Sequence, residues 1–441
     1  MGISRKKETS VLFIGDIFLL YVALWISLAT RYWDIPTYYT WQLHFWPFTL
    51  LIAVWILVFF ISGLYEKHTL ILKSRLPSTI FNAQLVNTFI AVLFFYAIPY
   101  FGIAPKTNLF IYLLFSFVFV LVWRIYGDRI FSPEKREKGI LIGSGEEMRE
   151  LIEEVNGNPR YELEFASSID LEDVDGLDFQ TEILNRVYSE EIQIMAIDLK
   201  NEKVEPILPH LYNLIFSNVK FIDMYKIYED IFDRVPLSLV RYNWFLENIS
   251  TEAGAAYDAL KRIMDVTLST IVLIPSLFLY PLVAIAIKLD DGGSIFFEQE
   301  RVGKKNKVIV VKKFRSMKED GSKQITRVGR LLRSTRIDEL PQLWNVLLGD
   351  MSMIGPRPEI PSLVKHYEDE ISYYNVRHLI KPGLSGWAQL YHKDPPKVTA
   401  DANKTRRKLS YDLYYIKNRS FMLDVKIALK TIKALLSRSG V

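Results

Sequence analysis

Two adjacent carboxylates, Asp338 and Glu339, stand in the most basic stretch of this 441-residue chain. Four arginines, at positions 327, 330, 333 and 336, precede them. Guanidinium groups match phosphate oxygens with paired hydrogen bonds, so this setting suits a polyanionic substrate. One carboxylate could attack phosphorus and form an acyl phosphate, while the other binds Mg²⁺, which prefers oxygen ligands. The alternative is an acidic pair that begins a helix and forms surface ion pairs. The surrounding arginines and an apolar run upstream favour the first interpretation.

The composition excludes several kinds of site. The chain has no cysteine, and its six histidines are scattered without a His-x-x-x-His pair. Disulfide frameworks, thiolate zinc sites and cysteine nucleophiles are therefore excluded, and a zinc hydrolase is disfavoured. Basic runs can also indicate nucleic-acid binding. Here they lie beside an apolar segment and contain no helix-turn-helix or zinc-finger pattern. We therefore expect membrane lipids, and no nucleic acid, as partners.

The elements that position this chemistry begin with four apolar runs, at about 11–29, 46–64, 85–102 and 108–126. Each approaches the roughly 20 residues that a helix needs to cross a bilayer. Lysine and arginine are concentrated before the first run, between the second and third, and after the fourth. By the positive-inside rule, both ends of this four-helix transmembrane bundle face the cytoplasm. Asp16 and Asn87, within the runs, are interpreted as interfacial or bundle-facing residues and not as a transport path.

A different pattern begins at Lys138. A strand ends in a glycine turn, Gly139–Gly145, and is followed by a helix over 146–155; further strands are predicted over 163–168, 192–199 and 219–224. This order is typical of a doubly wound parallel sheet. The glycine turn is a weak dinucleotide signal, because Met148 replaces the third glycine, and Glu146 and Glu147 put negative charge where a pyrophosphate would lie. We therefore expect a Rossmann-like domain with a structural or regulatory role.

A fifth apolar run, 265–287, is preceded by Lys261 and Arg262 and followed by a strongly basic region. A spanning helix would carry that region outside, against the positive-inside rule. Pro275 and Pro281 would each remove a backbone hydrogen bond. These features favour a bent, re-entrant helix over a proline-kinked spanning helix. Near the C-terminus, residues 420–436 have the pattern of a basic amphipathic helix. It would lie on the membrane or pack on the protein's own core.

Four motifs in the C-terminal part carry a family resemblance: Lys313–Met317, Arg333–Leu343, Gly349–Pro358 and Lys381–Gln389. In this order they closely resemble the bacterial sugar transferase family, the monotopic phosphoglycosyl transferases. With its four N-terminal helices and its middle domain, the whole chain is similar to the large form, the exopolysaccharide biosynthesis polyprenyl glycosylphosphotransferases. The resemblance implies that Asp338 attacks the sugar-bearing phosphate of a UDP-sugar and that UMP leaves. Polyprenyl phosphate, expected to be undecaprenyl phosphate, would then accept the phospho-sugar.

The resemblance also implies roles for neighbouring residues. Glu339 would be the Mg²⁺ ligand. Four side chains at basic positions of the family are the expected phosphate contacts: Lys313, Arg315, Arg333 and Arg357. The family further implies a re-entrant helix, which relatives usually break at Ser-Pro. Here the order is Pro275-Ser276, with a second proline at 281, so the sequence leaves open which residue sets the bend.

Together these features predict a membrane protein of the α plus α/β class with three domains. They are a four-helix transmembrane domain (1–130), a Rossmann-like cytoplasmic domain (131–250) and a monotopic catalytic domain (251–441) with its re-entrant helix over 262–288. The expected location is the bacterial cytoplasmic (inner) membrane, multi-pass, with the catalytic domain on the cytoplasmic face. The expected reaction would start polysaccharide or glycan repeat-unit synthesis, and the chain could also form a homodimer.

Two other functions fit the sequence less well. One is a non-catalytic membrane scaffold or regulator of polysaccharide assembly, against which the intact acidic pair counts. The other is a membrane phosphatase or pyrophosphatase, which would use the same pair but transfer to water instead of lipid.

Overall fold

The computed structural model describes residues 6–65, 76–98, 106–131, 136–158, 161, 163–173, 179–217, 219–249, 254–319, 324–391 and 401–436. Several basic side chains on which the predicted orientation depends lie outside the described side chains, at positions 5–7, 67, 73, 75, 129 and 135.

The N-terminal part forms four long helices: α1 (Lys6–Tyr32), α2 (Tyr38–Ile61), α3 (Leu76–Ala97) and α4 (Lys106–Phe131). Each contains a stretch long and apolar enough to cross a membrane, so the four predicted helices are confirmed. Helix α3 begins and ends earlier than its predicted run. Its first turns contain polar residues, so the apolar pattern did not indicate where the helix begins. At its other end, Pro99 disfavours the helical conformation of the residue before it, Ile98.

The two polar residues predicted to be interfacial or to face the bundle are buried within it. Asp16 forms a fully buried ion pair with Arg124 and accepts a 2.7 Å hydrogen bond from the hydroxyl of Tyr65. Asn87 is also buried: its side-chain Nδ2 donates a 3.3 Å hydrogen bond to Gln84 Oε1, and its main-chain carbonyl accepts one of 2.9 Å from the indole nitrogen of Trp55. Both side chains therefore bind other polar groups inside the bundle, away from lipid.

The middle part is a parallel sheet in the order β2-β1-β3-β4, covered by helices on both faces. Ile140 and Ile142 of β1 pack with α6 and α7, whereas Leu141 points to the opposite face and packs with α5 and α8. The predicted strands are confirmed, although β3 and β4 are shorter than predicted. The elements are β1 (Glu137–Gly143), α5 (Gly145–Gly157), β2 (Leu163–Asp170), α6 (Phe179–Ser189), β3 (Ile194–Ile197), α7 (Leu208–Asn213), β4 (Lys220–Asp223) and α8 (Met224–Phe232).

The C-terminal part mixes helices with two small sheets, an antiparallel pair β5–β6 and a parallel pair β7–β8. Its core contains the buried side chains of Trp244, Trp387, Leu413 and Tyr415. The elements are α9 (Tyr242–Asn248), α10 (Ala255–Leu277), α11 (Leu279–Asp291), β5 (Phe296–Val302), β6 (Val308–Phe314), α12 (Arg327–Ser334), α13 (Gln342–Leu348), β7 (Ser352–Ile354), α14 (Pro361–Glu370), β8 (Gly383–Ser385), α15 (Trp387–Tyr391), α16 (Ala402–Asn418) and α17 (Phe421–Leu436).

The fifth apolar run is a pair of helices, α10 and α11, that meet at Phe278 with a bend of 55°. Helix α10 continues through Pro275 to Leu277, whereas Pro281 lies in the first turn of α11. Proline is tolerated in a first turn, but it has no N–H to donate to the carbonyl four residues earlier, at Leu277. The break therefore follows from Pro281 more than from Pro275.

Both ends of this bent pair are bound to the C-terminal part. Near the start of α10, the Arg262 guanidinium donates 2.7 and 2.6 Å hydrogen bonds to the last carbonyls of α13. At the end of α11, Asp290 accepts a 2.9 Å hydrogen bond from the Val328 N–H, and Asp291 pairs with Arg315. The chain therefore leaves the C-terminal part and returns to it.

The amphipathic helix near the C-terminus is confirmed as α17, and its apolar side packs on the protein's own core. Ile427 is fully buried there, and Asp424 accepts a 2.7 Å hydrogen bond from the Tyr415 hydroxyl. Ile432 and Leu435 remain about half exposed. The amino group of Lys433 donates a 3.3 Å hydrogen bond to the Ser62 carbonyl at the end of α2, so α17 also contacts the N-terminal bundle.

Candidate active site

The acidic pair lies on a short 3₁₀ helix, Ile337–Glu339, between α12 and α13. Thr326 caps the start of α12, and its side chain accepts a 2.9 Å hydrogen bond from the Gly329 N–H. Gly329 packs against the Ser316 backbone so closely that a β-carbon there would meet the Ser316 carbonyl oxygen at 2.0 Å. After α12 the backbone of Arg336 turns into the left-handed region, with φ +60°. This turn directs Asp338 inward, where only 8% of its surface is exposed.

Glu339 is bound by cationic side chains from two other elements. Arg357 Nη2 donates a 2.7 Å hydrogen bond to Glu339 Oε1, and Lys313 Nζ of β6 donates one of 3.3 Å to the same oxygen. Arg336 Nη1 lies 3.7 Å from Oε2. Burial by itself would raise the pKa of Glu339, but the charges of Arg357 and Lys313 outweigh it and lower the pKa to about 2. Glu339 is therefore ionised at any physiological pH.

Asp338 has a different environment from its neighbour. Its Oδ1 atom is buried and, within the part of the chain that the structure describes, has no hydrogen-bond partner. Burial and the adjacent charge of Glu339 raise the pKa of Asp338, while Lys313 and Arg333 oppose that rise. An unpartnered buried acceptor is costly unless something else binds it. The two carboxylates therefore differ: Glu339 is bound by cations, whereas Asp338 has an oxygen without a hydrogen-bond partner among the described residues.

The structure brings together some of the predicted phosphate contacts and not others. Lys313 and Arg357 meet at Glu339, and Arg333 lies exposed on α12. Arg315 is committed elsewhere: its guanidinium pairs with Asp291 and donates a 2.6 Å hydrogen bond to the Ser294 carbonyl. These bonds link β6 to the end of α11, which is a structural role.

A buried charge cluster behind Arg357 was not identified from the sequence. Its four members are Glu359, Arg377, Lys408 and Asp412. They come from three separate segments, so no local spacing could have indicated them. Beside them, a cavity of about 10 Å³ is lined by Arg357, Arg377 and His378, and it is about large enough for one water molecule.

The acidic pair offers few protein ligands to a metal ion. Among the described residues, no three acidic or histidine side chains form a group that could hold a metal ion. Mg²⁺ is nevertheless often held by one or two carboxylates, with substrate phosphates and water completing its shell. Glu339 Oε2, which lies 3.7 Å from Arg336 Nη1, supplies one oxygen donor of that kind. The residues present therefore fit a magnesium ion that is held jointly with a phosphorylated substrate.

A second cavity, of about 180 Å³, lies at the carboxyl ends of β1, β2 and β3 in the middle part. Its lining combines acidic residues, such as Glu172 and Asp198, with basic ones, Lys200 and Arg241. It is smaller than the usual 300 Å³ or more of ligand pockets. The mixed charges select no single class of ligand.

These features define a membrane-anchored protein whose site combines an acidic pair with the cationic side chains of Lys313 and Arg357. Residues 256–438 match the family model described as Bacterial sugar transferase. The chain is 46% identical over 198 residues to the UDP-N-acetylgalactosamine-undecaprenyl-phosphate N-acetylgalactosaminephosphotransferase of Aeromonas hydrophila. It is 38% identical over 184 residues to the UDP-glucose:undecaprenyl-phosphate glucose-1-phosphate transferase of Escherichia coli K12. Over 196 residues it is 39% identical to the Exopolysaccharide production protein PSS of Rhizobium leguminosarum bv. phaseoli.

The chain belongs to the bacterial sugar transferase family. The matched regions cover 42%, 39% and 41% of this chain, in the order given. They cover 96% of the Rhizobium protein, but only 45% of the Aeromonas protein and 39% of the Escherichia protein. The residues that match the family model lie in the C-terminal part and contain the acidic pair and all four predicted basic contacts.

Proposed function

We propose that this protein transfers a phospho-sugar from a UDP-sugar to undecaprenyl phosphate, or another polyprenyl phosphate, and thereby starts a polysaccharide or glycan repeat unit. The observation that carries the proposal is the buried Asp338 oxygen without a partner, next to a carboxylate held by Arg357 and Lys313. The names of the Aeromonas and Escherichia relatives, which include a UDP-sugar and undecaprenyl phosphate, support the choice of substrates.

The proposed reaction has two steps on one phosphorus atom. In the first, an Asp338 oxygen attacks the sugar-bearing phosphorus, the bond to the bridging oxygen breaks, and UMP leaves with the electron pair. In the second, a phosphate oxygen of the polyprenyl phosphate attacks the same phosphorus and the Asp338 carboxylate is released. The product is a polyprenyl diphosphate sugar. No net oxidation occurs, and the carboxylate returns unchanged.

The surrounding residues would act by position and charge. Arg357 and Lys313 hold Glu339 ionised, and Arg333 and Arg336 add positive charge on the side of Asp338. These cations would attract the diphosphate and stabilise the charge that develops on its oxygens. Glu339, with substrate phosphates, would hold Mg²⁺, which when bound neutralises charge on the diphosphate.

We also propose that α10 and α11 form a re-entrant membrane helix. The 55° bend supports this, as do the bonds that tie both ends of the pair to the C-terminal part. Near the bend, Ile274, Phe278 and Leu282 are largely exposed, which suits contact with lipid. A helix that returns to its starting side would keep the acidic pair at the cytoplasmic surface, where the phosphate of a polyprenyl lipid lies.

The same proposal covers the organisation of the chain. The three domains would be 1–130, 131–250 and 251–441, with the catalytic domain on the cytoplasmic face of the inner membrane. The two-sided parallel sheet would make the middle domain Rossmann-like. Trp244 of α9 packs in the C-terminal core, so the middle and C-terminal domains would share a firm interface.

The decisive experiment measures UMP release by the purified full-length protein in lipid nanodiscs with undecaprenyl phosphate and Mg²⁺. UDP-N-acetylgalactosamine and UDP-glucose are the first donors to test. We expect Asp338→Asn to abolish UMP release and Glu298→Gln, at an exposed surface pair with Lys312, to change it by less than about twofold. Undiminished release by Asp338→Asn would contradict the covalent mechanism.

Two further measurements distinguish the transferase from a hydrolase and from a non-catalytic scaffold. Without acceptor lipid, mass spectrometry should find a phospho-sugar on the peptide that contains Asp338. With acceptor, the sugar should appear in the lipid fraction. Free sugar phosphate in water would instead identify a hydrolase, and no turnover of any donor would favour a scaffold.

A further inference from the structure

Arg357 lies in a loop whose conformation depends on hydrogen bonds from other segments. The segment 355–360, between β7 and α14, has no regular secondary structure. Pro356 and Pro358 flank Arg357 and have no N–H groups, so this loop has few donors of its own. Its conformation must therefore depend on what binds its carbonyl groups.

Each carbonyl from Pro356 to Glu359 has a donor from another segment. The Gly383 N–H binds the Pro356 carbonyl at 2.9 Å, and the Val302 N–H binds the Glu359 carbonyl at 2.8 Å. The two carbonyls between them are held by arginine side chains. Arg377 Nη2 donates a 2.8 Å hydrogen bond to the Arg357 carbonyl, and Arg301 Nη1 donates one of 3.1 Å to the Pro358 carbonyl.

Arg377 is itself fixed by buried partners. Only 3% of its surface is exposed, its Nη1 donates a 2.7 Å hydrogen bond to the Tyr374 hydroxyl, and its Nη2 lies 3.0 Å from Asp412. Glu359 pairs with Lys408 and lies 3.9 Å from Arg377. The cluster thus contains two positive and two negative groups, which allows its burial. The planar guanidinium can reach the Arg357 carbonyl while it keeps its other partners.

We infer that Arg377 is a positioning residue: it holds the backbone of Arg357 so that the Arg357 guanidinium stays on Glu339. This inference rests on the proposed function for its effect on the reaction. The sequence of contacts runs from Asp412 through Arg377 to the Arg357 carbonyl, and from the Arg357 side chain to Glu339 and its neighbour Asp338. Arg377 acts on the site only through Arg357.

A double-mutant cycle tests this inference in the full-length protein in nanodiscs, with UDP-N-acetylgalactosamine, UDP-glucose and undecaprenyl phosphate. Arg377→Lys keeps the charge but removes the planar fork. We expect it to lower kcat/KM for the donor by roughly 10- to 100-fold in the native background, because small misplacements near a reacting centre are costly. In an Arg357→Lys background it should lower kcat/KM by less than about twofold. The KM for undecaprenyl phosphate should not change in either background.

A matched control separates positioning from loss of stability. Lys408→Gln disrupts the same buried cluster at Glu359 but keeps the bond between Arg377 and Arg357. We expect it to lower Tm while kcat/KM stays within about twofold of native. If Arg377→Lys does not fold, Asp412→Asn replaces it in the same cycle. Asp412→Asn removes the charge that pairs with Arg377 but leaves the Arg377 side chain in place.

The outcomes are distinct. Equal fold losses in both backgrounds would overturn the inference, as would a loss of activity in Lys408→Gln that matches that of Arg377→Lys. Absence of UMP release by the native protein with either donor would contradict the proposed function instead. In that case, the Tm values of the native protein, the two single variants and the double variant still test the contact between Arg377 and Arg357. Additive changes in Tm would overturn the inference.

Discussion

Substitution of Arg357 by glutamine should change the number of groups that titrate in the active site. The difference between the ordinary pKa of 4.5 and about 2 for Glu339 corresponds to on the order of 3 kcal/mol in favour of the ionised form. Removing one partner of a buried, hydrogen-bonded charge pair costs about 2–5 kcal/mol, much of it because the other charge is left buried and unpaired. Loss of the Arg357 bond at 2.7 Å would therefore remove most of that preference. The Lys313 amino group remains 3.3 Å from Glu339 Oε1, but it alone must then oppose the effect of burial, which disfavours the ionised form of Glu339. The pKa of Glu339 should rise to about 4.5 or higher.

The sign of the effect on stability follows from the direction of this shift. A carboxyl group with a lowered pKa in the folded state stabilises the protein above its ordinary pKa and loses that contribution as the pH falls through its folded pKa. For Glu339 the loss occurs between about 4.5 and about 2. Arg357→Gln should therefore destabilise the protein at neutral pH by up to about 3 kcal/mol.

The assay is kcat/KM for UMP release over about pH 4–9, which includes the ordinary pKa of a glutamate, at one fixed magnesium concentration. In the native protein only Asp338, whose pKa is raised, should titrate on the acidic side, and activity should rise as the pH rises through that value because the nucleophile must be ionised. In Arg357→Gln, Glu339 also takes up a proton, so the acidic limb should be steeper. The control Arg333→Gln should move the limb to higher pH without steepening it. Superimposable limbs for native protein and Arg357→Gln, after scaling, would refute the reasoning.

Two other predictions concern the framework of the site. Arg315→Met should lower the free energy of unfolding by about 1–3 kcal/mol, because it removes the hydrogen bonds from the buried guanidinium to Asp291 and to the Ser294 carbonyl. It should change the donor KM by less than about twofold; a large rise in KM at unchanged Tm would instead assign Arg315 to the substrate. Because the chain has no cysteine, a single cysteine at Val441 can be labelled without background, and a membrane-impermeant maleimide should reach it only from the cytoplasmic side; labelling from outside would contradict the re-entrant helix.

Local patterns were enough to predict the four N-terminal helices and the strands of the middle part. The four apolar helices follow from the length and composition of their runs, and the strands of the middle part follow from short apolar segments between polar helices. The buried positions of Asp16 and Asn87 follow from the cost of a polar group facing lipid. The order of four motifs around Asp338 was enough to predict the family, because each motif lies within a short stretch of chain.

The tertiary structure decided which of several similar side chains reaches which partner. The sequence offered Lys313, Arg315, Arg333 and Arg357 as equivalent cations. The turn at Arg336, the position of β6 and the loop of Arg357 bring Lys313 and Arg357 to Glu339, whereas Arg315 pairs with Asp291.

The tertiary structure also decided how α17 packs, where the fifth apolar run bends, at Phe278, and that Arg377 contacts Arg357. Residue type determines charge, periodicity and hydrogen-bonding capacity. Pairings between segments far apart along the chain are selected by the packing of the whole core, which no local spacing encodes.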